Sequence, residues 1–183
     1  MAHPTLTVIS GPPGSGKSTL AHALSDRLGC PAICRDEIKE GMVHAVRREL
    51  TPDDHERLNR RTLAAFFAVL DILVRAEVSV VAEAAYQDRL WRRGLSALLP
   101  LAHVLLVRCR VDAELARARQ EDRLRTDPRR LAHEDLAQLT ADPVHFDWPR
   151  LDVPTLDLHT EVDPATAAGS AAEFVLSVGA ADD

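Results

Sequence analysis

The chain has 183 residues, of which 46% are hydrophobic and 27% charged, with a formal net charge of −6 at pH 7. That apolar share is ordinary for a globular protein and excludes a disordered tail, a collagen-like repeat and a low-complexity chain. The length predicts one domain over residues 1–183, and the acidic balance argues against a general binder of nucleic acid or anionic membrane, though not against a local basic cleft.

Short apolar runs alternate with longer helical patterns along the chain. Leu6–Ser10 (LTVIS) reads as a strand ending at Gly11. Leu20, Ala21, Leu24 and Leu28 follow a 3.6-residue period, which predicts a helix over Lys17–Leu28 stopped by Gly29. Pro31–Cys34 is a second short run, and Asp36 looks like the N-cap of a helix reaching about Leu50. Thr51 caps the next helix, with Pro52 at its first position and acidic residues in its first turn, extending to Arg75. Val78–Ala82 is a third strand, followed by a helix over Asp88–Leu99. Ala102–Val107 is the fourth strand and Asp112–Leu124 the next amphipathic stretch. A short helix near Glu134–Leu139, a proline-containing loop over Ala141–Pro154, a last strand Thr155–Leu158 and a helix Pro164–Val178 complete the pattern. Such βαβα alternation with almost continuously apolar strands predicts an α/β fold, a parallel sheet covered by helices on both faces.

Cys30, Cys34 and Cys109 have neither zinc-site spacing nor an even count, so they read as reduced thiols in or near the core. No basic segment followed by an apolar one opens the chain. The longest apolar stretch, Leu63–Leu70, is far short of the ~20 residues that span a bilayer. A cytoplasmic protein is expected.

Gly11–Ser18 reads GPPGSGKS and satisfies G-x-x-x-x-G-K-[ST] at each fixed position, with a predicted strand entering and a predicted helix leaving. Gly11, Gly14 and Gly16 let the backbone turn so that successive amides, including that of Ser15, point at anionic oxygens. The helix start at Lys17, Ser18 and Thr19 adds its positive end. In such a loop Lys17 reaches the β- and γ-phosphates and the Ser18 hydroxyl is a Mg²⁺ ligand. The pattern therefore implies a nucleoside triphosphate, taken as ATP, with Mg²⁺. No base-reading N-K-x-D segment of a GTPase occurs, and at this length a small kinase is the favoured use of the loop.

Ligands of a parallel sheet gather beyond the C-terminal ends of its strands. Asp36 and Glu37 follow the second strand there, and Glu83 follows the third. Phosphoryl transfer to a hydroxyl needs a carboxylate that orients it and takes its proton. Asp36 is the candidate for that work, against the alternative of a helix cap. Glu83, an acid that ends an apolar run, has no evident structural task and is a candidate for metal or acceptor binding. Glu37 reads as a first-turn charge favouring the helix dipole. Tyr86 lies in the loop after Glu83, where an acceptor would sit, and Trp91 beyond it reads as core.

Between Arg117 and Arg130 stand six arginines. Arg119 and Arg123, four apart, share a helix face and could swing over a bound triphosphate as a lid spanning about residues 117–140. A solvated face paired with Glu121 and Asp122 is the competing reading. Arg117 and Arg130 are weaker candidates, His133 just beyond could touch substrate or cap the chain before Glu134, and the eight histidines show no metal-ligand spacing in sequence.

Taken together, GPPGSGKST at 11–19, Arg35–Lys39, Glu83 and the stretch from Cys109 to Arg123 with Arg130 and His133 resemble the small P-loop kinases. These include chloramphenicol phosphotransferase, zeta toxins and related AAA-family ATPases. The resemblance implies a three-layer α/β/α fold with a five-stranded parallel sheet in the order 2-3-1-4-5 and a small arginine-rich lid. It implies Asp36 as the base that activates the acceptor hydroxyl, Arg119 and Arg123 as lid arginines, and an adenine site around Thr160–Asp163. Glu83 stands where many relatives carry aspartate, and the helices between Glu37 and Arg75 match no relative closely. The expected activity is ATP- and Mg²⁺-dependent transfer to a small hydroxyl-bearing acceptor such as a nucleoside, sugar or antibiotic. The alternatives are a polynucleotide 5′-hydroxyl kinase and a nucleotide-binding regulator without an acceptor.

Overall fold

The computed structural model of the chain describes residues 3–46, 50–126 and 146–179. Its elements in chain order are β1 (Thr5–Ser10), α1 (Lys17–Leu28), β2 (Ala32–Cys34), α2 (Arg35–His44), α3 (Pro52–Arg75), β3 (Val80–Glu83), α4 (Asp88–Leu98), β4 (His103–Arg110), α5 (Ala113–Thr126), β5 (Thr155–His159) and α6 (Pro164–Gly179). The expected helix near Glu134–Leu139 lies outside the described residues, as do Arg129, Arg130 and His133.

All strand pairs are parallel, and the sheet order is β2-β3-β1-β4-β5. The strands alternate between two cores with the period of two that a pleated sheet imposes. Leu6 and Val8 of β1, Val80 and Ala82 of β3, and Val104 and Leu106 of β4 face α3 and α4. Ile9, Val81, Val107 and Cys109 face α1 and α6 on the other side. The helices supply matching stripes. Leu58, Thr62, Phe66, Leu70 and Val74 of α3 are buried at spacings of four, which places one face of a 24-residue helix on the sheet. Small residues of α6, Ala167, Ala168 and Ala171, let it lie close to Leu20 and Leu24 of α1.

Sequence and structure differ at several ends for local reasons. Helix α2 stops at His44 rather than near Leu50, because Thr51 is extended (φ −80°, ψ 163°) and opens α3 with a reciprocal capping box to Asp54. Asp36 does not cap α2. The N-cap is Cys34, and Asp36 sits inside the first turn. Strand β3 starts at Val80 rather than Val78, since Glu77 turns into the left-handed region (φ 58°) and the Val78 amide still donates to Leu73 O. Strand β4 runs to Arg110 because β5 continues to pair with it as far as His159.

Among the described residues no helix is long and apolar enough to cross a membrane. The aromatic centre of the α3/α4 layer is Phe66, fully buried, with Trp91 edge-on at 5.7 Å. Phe66→Ala is expected to cost about 3–5 kcal/mol through lost burial and the cavity left behind. Urea denaturation of the purified variant checks it, and a loss below ~1 kcal/mol would mean that this layer collapses around the gap.

Candidate active site

The loop between β1 and α1 is shaped by glycine. Gly14 and Gly16 have φ of +80° and +74°, a conformation that side-chain-bearing residues rarely adopt. Gly14 has a second reason to be glycine: a Cβ there would lie 2.3 Å from the carbonyl oxygen of Ala116 on α5. Gly16 is the N-cap of α1 and makes no side-chain cap. The first amides of α1, including those of Lys17, Ser18 and Thr19, therefore have no acceptor inside the helix and add to its positive end. Ser15 is fully buried, and its Oγ has no hydrogen-bond partner among the described residues.

Three side chains converge at the mouth of this loop. Glu83, the last residue of β3, is 1% exposed. Its Oε2 accepts from Ser18 Oγ at 3.1 Å, and its Oε1 lies 3.8 Å from Lys17 Nζ, itself on a buried residue. The parallel pairing of β3 with β1 forces the meeting, because the register sets Glu83 beside Ile9, just before the glycine turn. Burial raises the Glu83 carboxyl above its ordinary range. The Lys17 ammonium opposes that rise, Asp36 adds to it, and hydrogen bonds from Ser18 and Cys34 lower it. Burial is the largest of these effects.

Asp36 stands at the β2–α2 junction with its Oδ1 accepting from Arg35 Nη1 at 2.9 Å. The same guanidinium donates through Nη2 to Asn59 Oδ1 of α3 at 3.1 Å, which fixes Arg35 across two helices. On the other side of the loop, Arg119 Nη2 donates to Thr160 O at 3.1 Å. Arg119 and Arg123 line a cavity of about 280 Å³ together with Gly16, Thr19, Thr160 and Val162. Exposed Thr19 thus belongs to the cavity wall, and Arg117 is exposed elsewhere on α5.

Tyr86 requires a correction. It was expected near an acceptor, yet it is fully buried and packs against Trp91 at 4.7 Å and Phe66 at 6.0 Å between ring centroids. The loop after β3 turns inward there, with Ser10 Oγ donating to Tyr86 O. The ring belongs to the core, as Trp91 does.

With this geometry in hand, the AAA domain family AAA_33 matches residues 6–142, a span that contains the glycine loop, Asp36, Glu83 and α5. The chain belongs to the AAA_33 family. Solved structures show where this AAA_33 chain stands by fold. A presumed kinase from Chloroflexus aurantiacus superposes with a TM-score of 0.80 at 20% identity, covering 94% of this chain and 98% of the other. The APS kinase of Mycobacterium tuberculosis, solved with AMPPNP and APS, gives 0.63 at 18% identity, covering 96% and 99%. A gluconokinase from Sinorhizobium meliloti gives 0.59 at 22% identity, covering 98% and 95%. Comparison with curated proteins finds no match. The fold of this AAA_33 chain is that of the small P-loop kinases.

Gln120, which the sequence does not single out, and Thr160, reached there only through the resemblance, tie the site together. Gln120 Nε2 donates to Pro13 O at 3.0 Å and ties α5 to the glycine loop. Thr160 Oγ1 lies 2.6 Å from Ser15 O and 3.0 Å from Arg110 O, joining the loop to the end of β4. Neither carries a motif. Thr160 was reached only as one end of the implied adenine site, and Gln120 is one polar residue among many on α5.

Gly14→Ala tests the double constraint at this loop. The variant is expected to lose about 1–3 kcal/mol, from the left-handed backbone together with the clash against Ala116. Chemical denaturation measures it, and an unchanged midpoint would show that the loop relaxes freely away from α5.

Proposed function

We propose that the protein is an ATP- and Mg²⁺-dependent kinase that transfers the γ-phosphoryl group to a hydroxyl of a small molecule. The observation that carries this reading is the convergence of Lys17, Ser18 and Glu83 at the start of α1. The donor set fits Mg²⁺, a hard cation that prefers oxygen: a hydroxyl and a carboxylate oxygen lie 3.1 Å apart where the loop would place phosphate. Ser18 would hold the ion, and Glu83 would anchor it directly or through water. When bound, Mg²⁺ offsets charge on the β- and γ-phosphate oxygens.

The chain's own groups do the rest. The amides from Gly14 to Ser18 and the Lys17 ammonium bind the phosphates and stabilise charge as it moves toward the leaving oxygen. The cavity between Thr19, Arg119 and Thr160 takes the nucleoside. Asp36 orients the acceptor hydroxyl, and Arg35, braced by Asn59, holds the Asp36 carboxylate in place. As the acceptor oxygen forms its bond to phosphorus, the bond from phosphorus to the ADP oxygen breaks and the hydroxyl proton passes to Asp36. Arg119 and Arg123 line the nucleoside cavity, and on swinging over the bound nucleotide their guanidinium groups would offset charge on its phosphates.

A screen with γ-³²P-ATP against nucleosides, sugars, aminoglycosides and oligonucleotides identifies the acceptor. On that acceptor, Lys17→Ala is expected to reduce transfer by about 10²-fold or more, and Asp36→Asn by about 10²–10⁴-fold, with circular dichroism unchanged. Wild-type rates in Lys17→Ala would defeat the assignment.

The raised Glu83 carboxyl gives a pH signature. Glu83 must be ionised to help hold a cation, so affinity for Mg²⁺-nucleotide should fall on acidification while the pH is still above the ordinary glutamate value of 4.5. The sign for the unliganded protein is the reverse. The fold favours the protonated form, so stability contributed by this group is present below the unfolded value and is lost as pH rises through the folded one. Calorimetric titration across pH checks the first expectation, and Glu83→Gln should flatten the profile.

A further inference from the structure

We propose that His22, Cys34 and Glu37 form a binding site for a borderline-soft divalent cation of the Zn²⁺ type, beside the phosphate loop and distinct from the Ser18/Glu83 pair. One ligand atom from each lies within 4.8 Å of the others. His22 Nε2 is 2.6 Å from Glu37 Oε1 and 3.8 Å from Cys34 Sγ. The three residues come from three elements: the middle of α1, the end of β2 and the first turn of α2. Cys34 and Glu37 are three residues apart, whereas His22 lies twelve residues before Cys34, so the fold is what completes the set.

The donors are the kind that select zinc over magnesium: one thiol, one imidazole and one carboxylate. Tetrahedral bonds of ordinary Zn–S and Zn–N length put sulfur and nitrogen about 3.5 Å apart, close to the 3.8 Å found here. The nitrogen and oxygen now share a hydrogen bond and must separate by somewhat under 1 Å to hold an ion between them. Cys34 is buried, whereas the side chains of His22 and Glu37 are 52% and 53% exposed. An ion can therefore enter from solvent and keep one position for water. A thiolate, a carboxylate and a neutral imidazole sum to two negative charges, which a divalent ion neutralises. Burial above all, and then the charges of Glu83, Glu37 and Asp36, hold the Cys34 thiol protonated in the free protein. A bound cation releases that proton to solvent, so the site fills more readily as pH rises. The site is also close to the proposed chemistry: His22 is one helical turn from Ser18, and Cys34 and Glu37 bracket Arg35 and Asp36.

Co²⁺ titration of the unliganded protein, under a non-thiol reductant and without nucleotide, tests the site. The expected result is one equivalent bound with a thiolate-to-cobalt charge-transfer band, displaced by Zn²⁺ and not by excess Mg²⁺. Cys34→Ser should abolish the band, while Cys30→Ser and Cys109→Ser keep it. His22→Ala and Glu37→Gln, both at exposed positions, should each weaken Zn²⁺ binding by about tenfold or more. Should Cys34→Ser fail to fold, those two variants still decide. Absence of the band, its persistence in Cys34→Ser, or unchanged affinity in both exposed variants overturns the proposal. The assay uses neither ATP nor an acceptor, so its failure leaves the kinase reading standing.

Discussion

A carboxylate buried at the end of a central strand governs the organisation of this molecule. Taking a carboxylate or an ammonium out of water costs several kcal/mol unless close partners replace the lost hydration. Glu83 has two such partners from one turn of α1, Lys17 and Ser18, yet its Oε1 remains without a hydrogen bond among the described residues. Ser15 Oγ, buried nearby in the loop, is likewise unpaired. Incompletely satisfied polar groups on a rigid scaffold cost stability and persist where a ligand completes them. On the proposed reading the missing partners are phosphate oxygens and a divalent ion.

The surrounding structure holds this arrangement by packing the glycine loop from several directions. Gly14 abuts the backbone of α5, Gln120 ties α5 to Pro13, and Thr160 joins the loop to the ends of β4 and β5. Each of these contacts comes from chain more than 90 residues away from the loop. The loop is thereby preorganised, and the cavity beneath Arg119 is formed by the same contacts that hold the loop in place. On the opposite flank the β2–α2 junction carries Asp36 with its Arg35–Asn59 brace. The His22, Cys34 and Glu37 cluster sits against that junction, so a cation bound there would act on the segment that presents Asp36.

The two layers divide the work. The α3/α4 side is a densely aromatic core in which Phe66, Tyr86 and Trp91 interlock. The α1/α6 side is built from smaller residues and brings the start of α1 to the edge of the sheet. The loop after β3 joins them: Glu83 faces the site, and three residues later Tyr86 is committed to the aromatic layer. A tyrosine in a loop beyond the C-terminal end of a parallel strand has the chemistry for a ligand contact. The inward turn of that loop, which local sequence does not encode, decides otherwise.

What the sequence determined by itself was whatever depends on neighbours along the chain. Apolar periodicity placed most of the described helices and strands to within a few residues, though not the end of α2, Thr51-Pro52 marked the start of α3, and GPPGSGKS specified the loop because its backbone needs glycine at given positions. Position at a strand end also singled out Glu83 and Asp36, since parallel strands put their C-terminal ends on one edge. The tertiary structure decided everything that depends on residues brought together across the sheet. It alone pairs Glu83 with Ser18 and Lys17 through the β1–β3 register, sends Tyr86 into the core, recruits Gln120 and Thr160 to the loop, and gathers a histidine, a cysteine and a glutamate from three elements. Pairwise distance across a fold follows from packing and register, and neither leaves a local signature in the order of residues.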